Sequence, residues 1–110
     1  MNDTNIVIAI GRFTKDPELK FTQTGTALTN FSIAVNEKYK DTEKVNYFDC
    51  VSFGKTAEVI CQYCKKGARV AIDGRLSQER WETNDGEKRS KVVIKVDNIQ
   101  FLNNKNEQGE

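Results

Sequence analysis

The stretch from residue 45 to residue 76 reads VNYFDCVSFGKTAEVICQYCKKGARVAIDGRL and changes its hydrophobic period twice. Residues 45–53 form a β-rich run, which predicts a strand. Over residues 55–66 the apolar positions fall at helical spacing, at Ala57, Ile60, Cys61 and Cys64. Alternation returns over residues 69–76, with Val70, Ile72 and Leu76 on one face of a second strand. One helix of about three turns is therefore expected between two strands.

Charged residues and a glycine mark the ends of this helix. Glu58 is expected in its first turn, and Lys65 and Lys66 in its last. A carboxylate near the amino end and ammonium groups near the carboxyl end complement the helix dipole. Gly67 follows directly and can adopt the left-handed conformation that ends many helices. The pattern predicts a helix from Lys55 to Lys66 that stops at Gly67.

Two further strands are expected on the amino-terminal side. In the first, Ile6, Ile8 and Ile10 alternate with Val7, Ala9 and Gly11, which predicts a strand covered on both faces and ending near Arg12. The segment 16–18, Asp-Pro-Glu, interrupts the pattern because proline cannot donate to a ladder. From Thr26 a long half-buried strand is expected, with an inward set of Ala27, Phe31, Ile33 and Val35. Residues 37–44 are predicted to be a charged hairpin loop.

The carboxyl-terminal part ends in another strand. Residues 84–87, Asn-Asp-Gly-Glu, are a strong hairpin-turn signal. A strand from Lys91 to Leu102 follows, and a shift in its inward set predicts a β-bulge near Asp97 and Asn98. Phe31 and Phe101 lie on apolar strand faces and are expected in the core.

Three strands, one helix and two strands match an all-β, five-stranded Greek-key barrel of the OB type, with its helix between strands 3 and 4. This barrel is expected to occupy residues 1–102. Residues 103–110, Asn-Asn-Lys-Asn-Glu-Gln-Gly-Glu, offer nothing to bury and are expected to be a disordered polar tail.

Composition limits the functions that remain. The chain has 110 residues, enough for one domain, and a net charge of +1, so no bulk basic excess attracts nucleic acid. It has no histidine, which excludes histidine triads and histidine metal sites. The amino terminus lacks a basic secretory signal and no apolar run could span a bilayer. With 3 cysteines, one would be left over from any pairing, so free thiols in a reducing cytoplasm are expected.

Two possible chemical sites fail on inspection of their residues. Gly54-Lys55-Thr56 resembles the end of a phosphate-binding loop, but the glycine such a loop needs at position 49 is replaced by Asp49. Cys50, Cys61 and Cys64 could be three zinc ligands, but a second Cys or His pair is missing. A redox Cys-x-x-Cys would begin a helix, whereas this one ends it. Small buried thiols and the absence of any metal or cofactor are expected.

Four aromatic residues lie in polar surroundings and are expected at the surface. Trp81 has Glu79 and Thr83 as its same-face neighbours, and Tyr39 lies within a run of charged residues. Tyr47 and Phe53 share a strand face with Asp49. Basic residues are interleaved among them, at Lys38, Lys40, Lys55, Arg75 and Arg80. Exposed rings beside cations are typical of surfaces that stack unpaired bases and hold phosphates. The alternative is that one or two of these rings pack on loops or at a subunit interface.

Together with their order and spacing, several short motifs resemble the bacterial single-stranded DNA-binding protein (SSB) family. They span residues 5–102: GRFTKDPEL at 11–19, Gly25 with NFSIA at 30–34, FGK at 53–55, AE at 57–58, YCKKG at 63–67, GRL at 74–76, and Arg80-Trp81 before Asp85-Gly86. The resemblance implies sequence-independent binding of single-stranded DNA by a homotetramer that acts in the cytoplasm, at the nucleoid, in DNA replication, recombination and repair.

The same resemblance implies site residues. Family stacking positions fall on Tyr39, Tyr47, Phe53 and Trp81, and family phosphate-contacting positions fall on Lys55, Lys66 and Arg80. Tyr39 and Tyr47 stand where some members carry tryptophan, which leaves a smaller stacking face. The long tail with an acidic, hydrophobic tip is absent before Glu110, so the sequence is either truncated or a short variant. Recruitment of replication or repair proteins through that tip is therefore not assigned.

Other readings of the chain remain open. An RNA-binding OB domain would use the same stacking rings, because stacking does not distinguish the two sugars. A primosome-type OB module would bind mainly proteins and could dispense with the four aromatics. An enzyme is the least favoured class, because no His, metal set or paired carboxylates support acid–base chemistry. Matched DNA and RNA oligomers distinguish the first of these readings.

Overall fold

The computed structural model describes residues 3–102 and consists of five long strands, one short strand and one helix. In chain order they are β1 (Val7–Phe13), β2 (Lys20–Phe21), β3 (Ala27–Tyr39), β4 (Thr42–Phe53), α1 (Gly54–Tyr63), β5 (Arg69–Glu82) and β6 (Lys88–Phe101). The helix lies between the third and fourth long strands, so the predicted OB-type barrel is confirmed. The expected polar tail, residues 103–110, lies outside the described residues.

The five long strands close into a ring. β1 pairs antiparallel with both β3 and β5, β5 pairs with β6, and β3 pairs with β4. Closure comes from a short parallel contact between β4 and β6, where Cys50 lies opposite Ile94 and Val51 opposite Lys95. The short strand β2, which the sequence did not predict, pairs with β3 through two residue pairs. A closed ring leaves few free strand edges in the barrel itself.

The inward faces of the strands fill the barrel. The rings of Phe13 and Phe31 stack with their centroids 4.6 Å apart, and Ile33 is fully buried beside them. α1 covers one end of the barrel with Ile60, which is also fully buried. The predicted inward residues of β3 therefore belong to or pack against the core, where Val35 is partly buried.

A β-bulge bends β6, as the sequence predicted. Asp73 pairs with Asn98 but the next residue, Gly74, pairs with Val96, so Asp97 is the extra residue. The bent strand passes very close to β5: a Cβ atom on Gly74 would clash with the carbonyl oxygen of Lys95. Glycine is needed here because only a residue without a side chain lets the two backbones approach this closely.

The hairpin predicted at residues 37–44 is present, but its loop is much shorter than predicted. β3 runs on to Tyr39 and β4 begins at Thr42, so only Lys40 and Asp41 form the turn. Lys40 has a φ of +56°, a conformation that such tight hairpin turns demand. The turn was missed because it lacks the Asn-Gly or Asp-Gly pair that usually marks it. By contrast, the turn before β6 was predicted correctly, and the Gly86 N–H donates to the Thr83 carbonyl.

The helix is shorter than predicted and its stop signal was misread. α1 ends at Tyr63, so Lys65 and Lys66 lie beyond it, and Glu58 lies just past its first turn. Contacts with another part of the chain replace the last helical hydrogen bonds. The backbone N–H of Lys66 donates to Asp16 Oδ1 at 2.7 Å, and that of Gly67 donates to the Phe13 carbonyl at 2.8 Å. The left-handed Gly67 therefore turns the chain toward β1 and does not cap α1.

One strand boundary and two burial predictions also fail. β5 continues six residues beyond the predicted end at Leu76, which is 49% exposed because the β5–β6 hairpin projects past the core. Phe101 is 41% exposed and its ring packs against Tyr63 at the surface, 5.9 Å between centroids. The outer face of β1 is uncovered: Ile8 and Ile10 are exposed, and so is Ile6 just before the strand. Apolar alternation predicts a strand but not what covers each face.

Two of the three thiols are buried. Burial raises the pKa of Cys50 from 9.0 to about 12, with the charge of Asp49 adding to it. Burial also raises the pKa of Cys64 to about 11, with a contribution from Cys61, which is only partly buried. Within residues 3–102 no group of three Cys, Asp or Glu side chains is placed to hold a metal ion. That the protein needs no zinc stays a prediction.

The raised thiol pKa values predict a loss of stability at alkaline pH. Below pH 9 the thiols are protonated in both folded and unfolded chains. As pH rises from about 9 toward 11–12 the unfolded chain loses those protons first, so the free energy of unfolding falls. Urea unfolding between pH 8 and pH 10.5 measures the change.

The control for this prediction is Cys50→Ala, which should show a shallower fall than the unsubstituted chain. Zinc chelation at pH 8 should leave the urea midpoint unchanged, because structural zinc would contribute directly to folding. A midpoint that drops with the chelator contradicts the assignment of free, buried thiols.

Candidate nucleic-acid interface

Four strands share one continuous outer face. Residues paired across a sheet point to the same side. The inward residues of β3 are odd-numbered, so its even-numbered residues point outward, and these pair with the odd-numbered residues of β4. The parallel contact places Lys95 of β6 beside Val51 of β4, and Lys95 in turn pairs with Arg75 of β5. No register shift interrupts β4, or β5 beyond Gly74. The odd-numbered residues of β4, of β5 and of β6 up to Lys95 therefore lie on this face, which we call the outer sheet face.

The outer sheet face carries three of the four predicted stacking aromatics. Tyr47 and Phe53 lie on it in β4, and Trp81 lies on it in β5 beyond the barrel. Their exposed fractions are 67%, 45% and 48%. Exposed rings of this size are rare in a strand unless they face a partner, so this is an unusual surface for a small domain.

Tyr39 is placed differently. It pairs with Thr42 at the end of the β3–β4 hairpin, and by alternation it continues the inward set of β3. Its ring is 69% exposed, and the Lys40 ammonium lies 5.3 Å from its centroid. The structure therefore separates Tyr39 from the face that holds Tyr47. A strand that reached both rings would have to bend around the hairpin.

Several cations lie on the outer sheet face beside the rings. Arg89 pairs directly with Trp81, and Lys91 with Glu79. The Lys95 ammonium lies 5.8 Å from the centroid of Phe53, within range of a cation–π contact. Sequence reasoning did not select Lys91, Lys95 or Arg89 as site residues. The available signal was their alternation with the apolar residues Val92, Ile94 and Val96 in the same strand.

Carboxylates lie among these cations as well, at Glu79 beside Lys91 and at Asp49. Asp49 lies between Tyr47 and Phe53 on the odd-numbered face of β4. Its Oδ2 atom is 3.5 Å from the Lys91 ammonium, and both side chains are about half exposed. An exposed ion pair of this kind contributes about 1 kcal/mol or less to stability. Its effect is therefore mainly on the electrostatic character of the face.

The three predicted phosphate contacts lie apart from one another. Lys55 is exposed in the first turn of α1, two residues after Phe53. Lys66 is exposed in the turn between α1 and β5. Arg80 lies on the opposite face of β5 from Trp81, and its guanidinium donates to Gln78 Oε1 at 2.5 and 3.1 Å. The side chains of Arg80 and Trp81 nevertheless line one groove along the β5–β6 hairpin, together with Lys88 and Arg89.

Over residues 3–102 the only helix is α1, which is far too short to cross a membrane.

Comparison with known proteins identifies the family. Residues 4–102 match the model of the single-strand binding protein family. The chain is 48% identical over 106 residues to a single-stranded DNA-binding protein of Treponema pallidum, an alignment that covers 93% of this chain and 60% of the relative. The chain thus spans less than two thirds of that relative's length.

Two other relatives are similar over most of the chain. A single-stranded DNA-binding protein of Borreliella burgdorferi is 45% identical over 107 residues, covering 93% of this chain and 72% of the relative. Single-stranded DNA-binding protein 1 of Synechocystis is 40% identical over 108 residues, covering 96% of this chain and 89% of the relative. With its barrel, its exposed rings and these matches, the chain belongs to the single-strand binding protein family.

Proposed function

We propose that this chain binds single-stranded DNA without requiring a particular sequence. The observation that carries the proposal is the outer sheet face, where Tyr47, Phe53 and Trp81 are exposed beside Lys91, Lys95 and Arg89. The names of its relatives, single-stranded DNA-binding proteins, support it.

Base stacking explains both the tolerance for sequence and the preference for single strands. Every base has a π-face, so a ring such as Trp81 accepts any of them, at about 1–3 kcal/mol per stacked base. Bases in a duplex already stack on one another and are not available. Tyr39, on the other side of its hairpin, would be a fourth stacking position for a strand that wraps around the β3–β4 hairpin.

Phosphates are proposed to contact Lys55, Lys66 and Arg80, together with the cations of the outer sheet face. Lys55 lies two residues after Phe53 in the chain, so one nucleotide would stack on the ring while its phosphate meets the ammonium. In the cell, this binding would protect exposed strands during DNA replication, recombination and repair, at the nucleoid in the cytoplasm. The protein would act as a binding protein without catalytic activity.

We propose a homotetramer as the working form. Ile8 and Ile10 of β1 are exposed, and with Ile6 just before the strand they form one uncovered apolar surface. Leu76 and Val92 are 49% and 56% exposed on the inward side of the projecting β5–β6 hairpin and offer a second. Two separate apolar surfaces on one subunit are what an assembly with two kinds of interface requires.

Trp81 gives a direct test of stacking because it is the only tryptophan. Its fluorescence should report partial exposure in the free protein and strong quenching when oligo(dT) binds. Trp81→Ala should weaken oligo(dT) binding roughly 5- to 150-fold at fixed salt, the loss of one stacked base. Because the ring is about half exposed, the melting temperature should change little.

Trp81→Phe is the matched control and should keep most of the affinity, since it keeps a stacking face. An equal length of oligo(U) tests the RNA-binding alternative in the same titration. The stacking role is refuted by wild-type fluorescence that ignores oligo(dT), or by a Trp81→Ala variant that unfolds.

Lys55 tests the phosphate contacts. The affinity for single strands should fall with salt, with a slope of about −0.7 in log K against log salt for each phosphate neutralised. Lys55→Ala should make the slope shallower by about that amount for every base composition alike. Lys55→Arg keeps the charge and should keep the slope. An affinity that does not depend on salt contradicts the proposed contacts.

Ile8 tests the assembly. Its side chain is 76% exposed in the isolated subunit, so Ile8→Asp should leave the subunit folded but reduce the assembly's mass. Light scattering after size-exclusion chromatography measures that mass, with Ile8→Val as the apolar control. Circular dichroism checks that Ile8→Asp remains folded. A folded Ile8→Asp variant with wild-type mass would rule out β1 as an interface.

A further inference from the structure

Beside the outer sheet face lies a cavity of about 640 Å³ whose lining carries charges of both signs. The sheet side of the cavity is lined by Asn30, Ser32, Asp49, Glu79, Lys91 and Val93, and the segment from Thr14 to Lys20 forms its other wall. Its charged side chains include four carboxylates, at Asp16, Glu18, Asp49 and Glu79, and three ammonium groups, at Lys15, Lys20 and Lys91. These charges nearly cancel, so the cavity has no net attraction for phosphate, and the edge of a base suits it better.

The Asp49 and Lys91 pair is the part of this cavity best placed to meet a base. Asp49 lies two residues from Tyr47 on the same strand face, about 7 Å along the strand. Asp16, by comparison, is tied to the Lys66 backbone N–H. Among residues 3–102, Lys91 is the one hydrogen-bond and ion-pair partner of the Asp49 carboxylate, at 3.5 Å, and the side chains of Asp49 and Lys91 are 59% and 49% exposed. They therefore offer a hydrogen-bond acceptor and a donor side by side, next to a stacking ring.

This pair matches some bases better than others. Cytosine and adenine each present an exocyclic amine next to a ring nitrogen that accepts, and guanine presents two neighbouring N–H donors. Each can donate to the Asp49 carboxylate. Thymine has no exocyclic amine, and its single N–H donor is flanked by two carbonyl oxygens that the carboxylate would repel. Carboxylate contacts to the cytosine amine are a recognised mode of base reading.

We propose that Asp49, paired with Lys91, forms a base-edge subsite that favours amine-bearing bases over thymine. The inference rests on the proposed single-stranded DNA binding and adds to it a chemical preference at one stacking position. Tyr47 would hold the base by its face while Asp49 accepts from its amine. Lys91 would donate to the neighbouring acceptor of cytosine or adenine and keep the carboxylate from repelling the strand.

The test compares oligo(dC) with oligo(dT) of equal length. The measured quantity is the ratio of the two dissociation constants, dT over dC, at fixed salt. Asp49→Asn should lower this ratio about 5-fold, near the smaller end of the discrimination expected for a base contact, because the pair is half exposed. Asp49→Ala should lower it by a similar factor, because it also removes the carboxylate.

Glu58→Gln on α1 is the matched control. It removes one negative charge on the helix and should change both affinities together, leaving their ratio unchanged. Melting temperatures establish that each variant is folded. An unchanged ratio in folded Asp49→Asn and Asp49→Ala, with both oligomers bound, overturns the subsite and leaves the proposed function standing. A wild-type protein that binds neither oligomer overturns both.

Discussion

The short parallel contact between β4 and β6 is the constraint on which the binding surface depends. On the inside it brings Cys50 and Ile94 together in the core, and on the outside it brings Val51 beside Lys95. Parallel neighbours need a long crossover, and α1 with β5 supplies it. Without this contact, the aromatic residues of β4 and the cations of β6 would lie at opposite edges of one open sheet, β4-β3-β1-β5-β6.

Closure of the barrel explains why the functional residues lie where the core ends. β3 and β4 pair along their full lengths, as do β5 and β6, and both hairpins extend past the point where the barrel is filled. Beyond that point a strand has no core to face, so its side chains are free for other uses. Tyr39 and Trp81 occupy such positions. The core fixes the hairpins, and the hairpins present the rings.

Sequence patterns predicted what depends on local chemistry. The barrel class, the inward set of β3, the bulge at Asp97 and the turn at Gly86 all follow from alternation or turn residues. The end of α1 did not, because the hydrogen bonds that replace its last turn come from Asp16 and Phe13, about 50 residues away. The exposure of Phe101 and Ile8 was also missed, because alternation does not reveal which strand faces are covered by other parts of the fold.

The candidate site also has one part that the sequence predicted and one part that it did not. The polar context of Tyr47, Phe53 and Trp81 marked them as exposed, and all three are. Their common face could not be predicted, since it depends on two strand registers and the parallel contact. The cations of β6 were overlooked for a related reason. Alternating Lys91 and Lys95 with apolar residues is typical of any half-buried strand, and only the pairing shows which rings they accompany.

Net charge is a poor guide to this surface because charge acts locally. At physiological salt, exposed charges more than about 8 Å apart are largely screened from each other. The overall charge of +1 therefore averages regions that a bound strand would meet separately. Near Phe53 it would meet Lys95 and Lys55, and near Tyr47 it would meet the Asp49 and Lys91 pair. The cations near Phe53 are suited to phosphates. The pair near Tyr47, a hydrogen-bond donor beside an acceptor, is suited to the edge of a base. A nearly neutral domain can thus bind a polyanion if its carboxylates face the bases and its ammonium groups face the backbone.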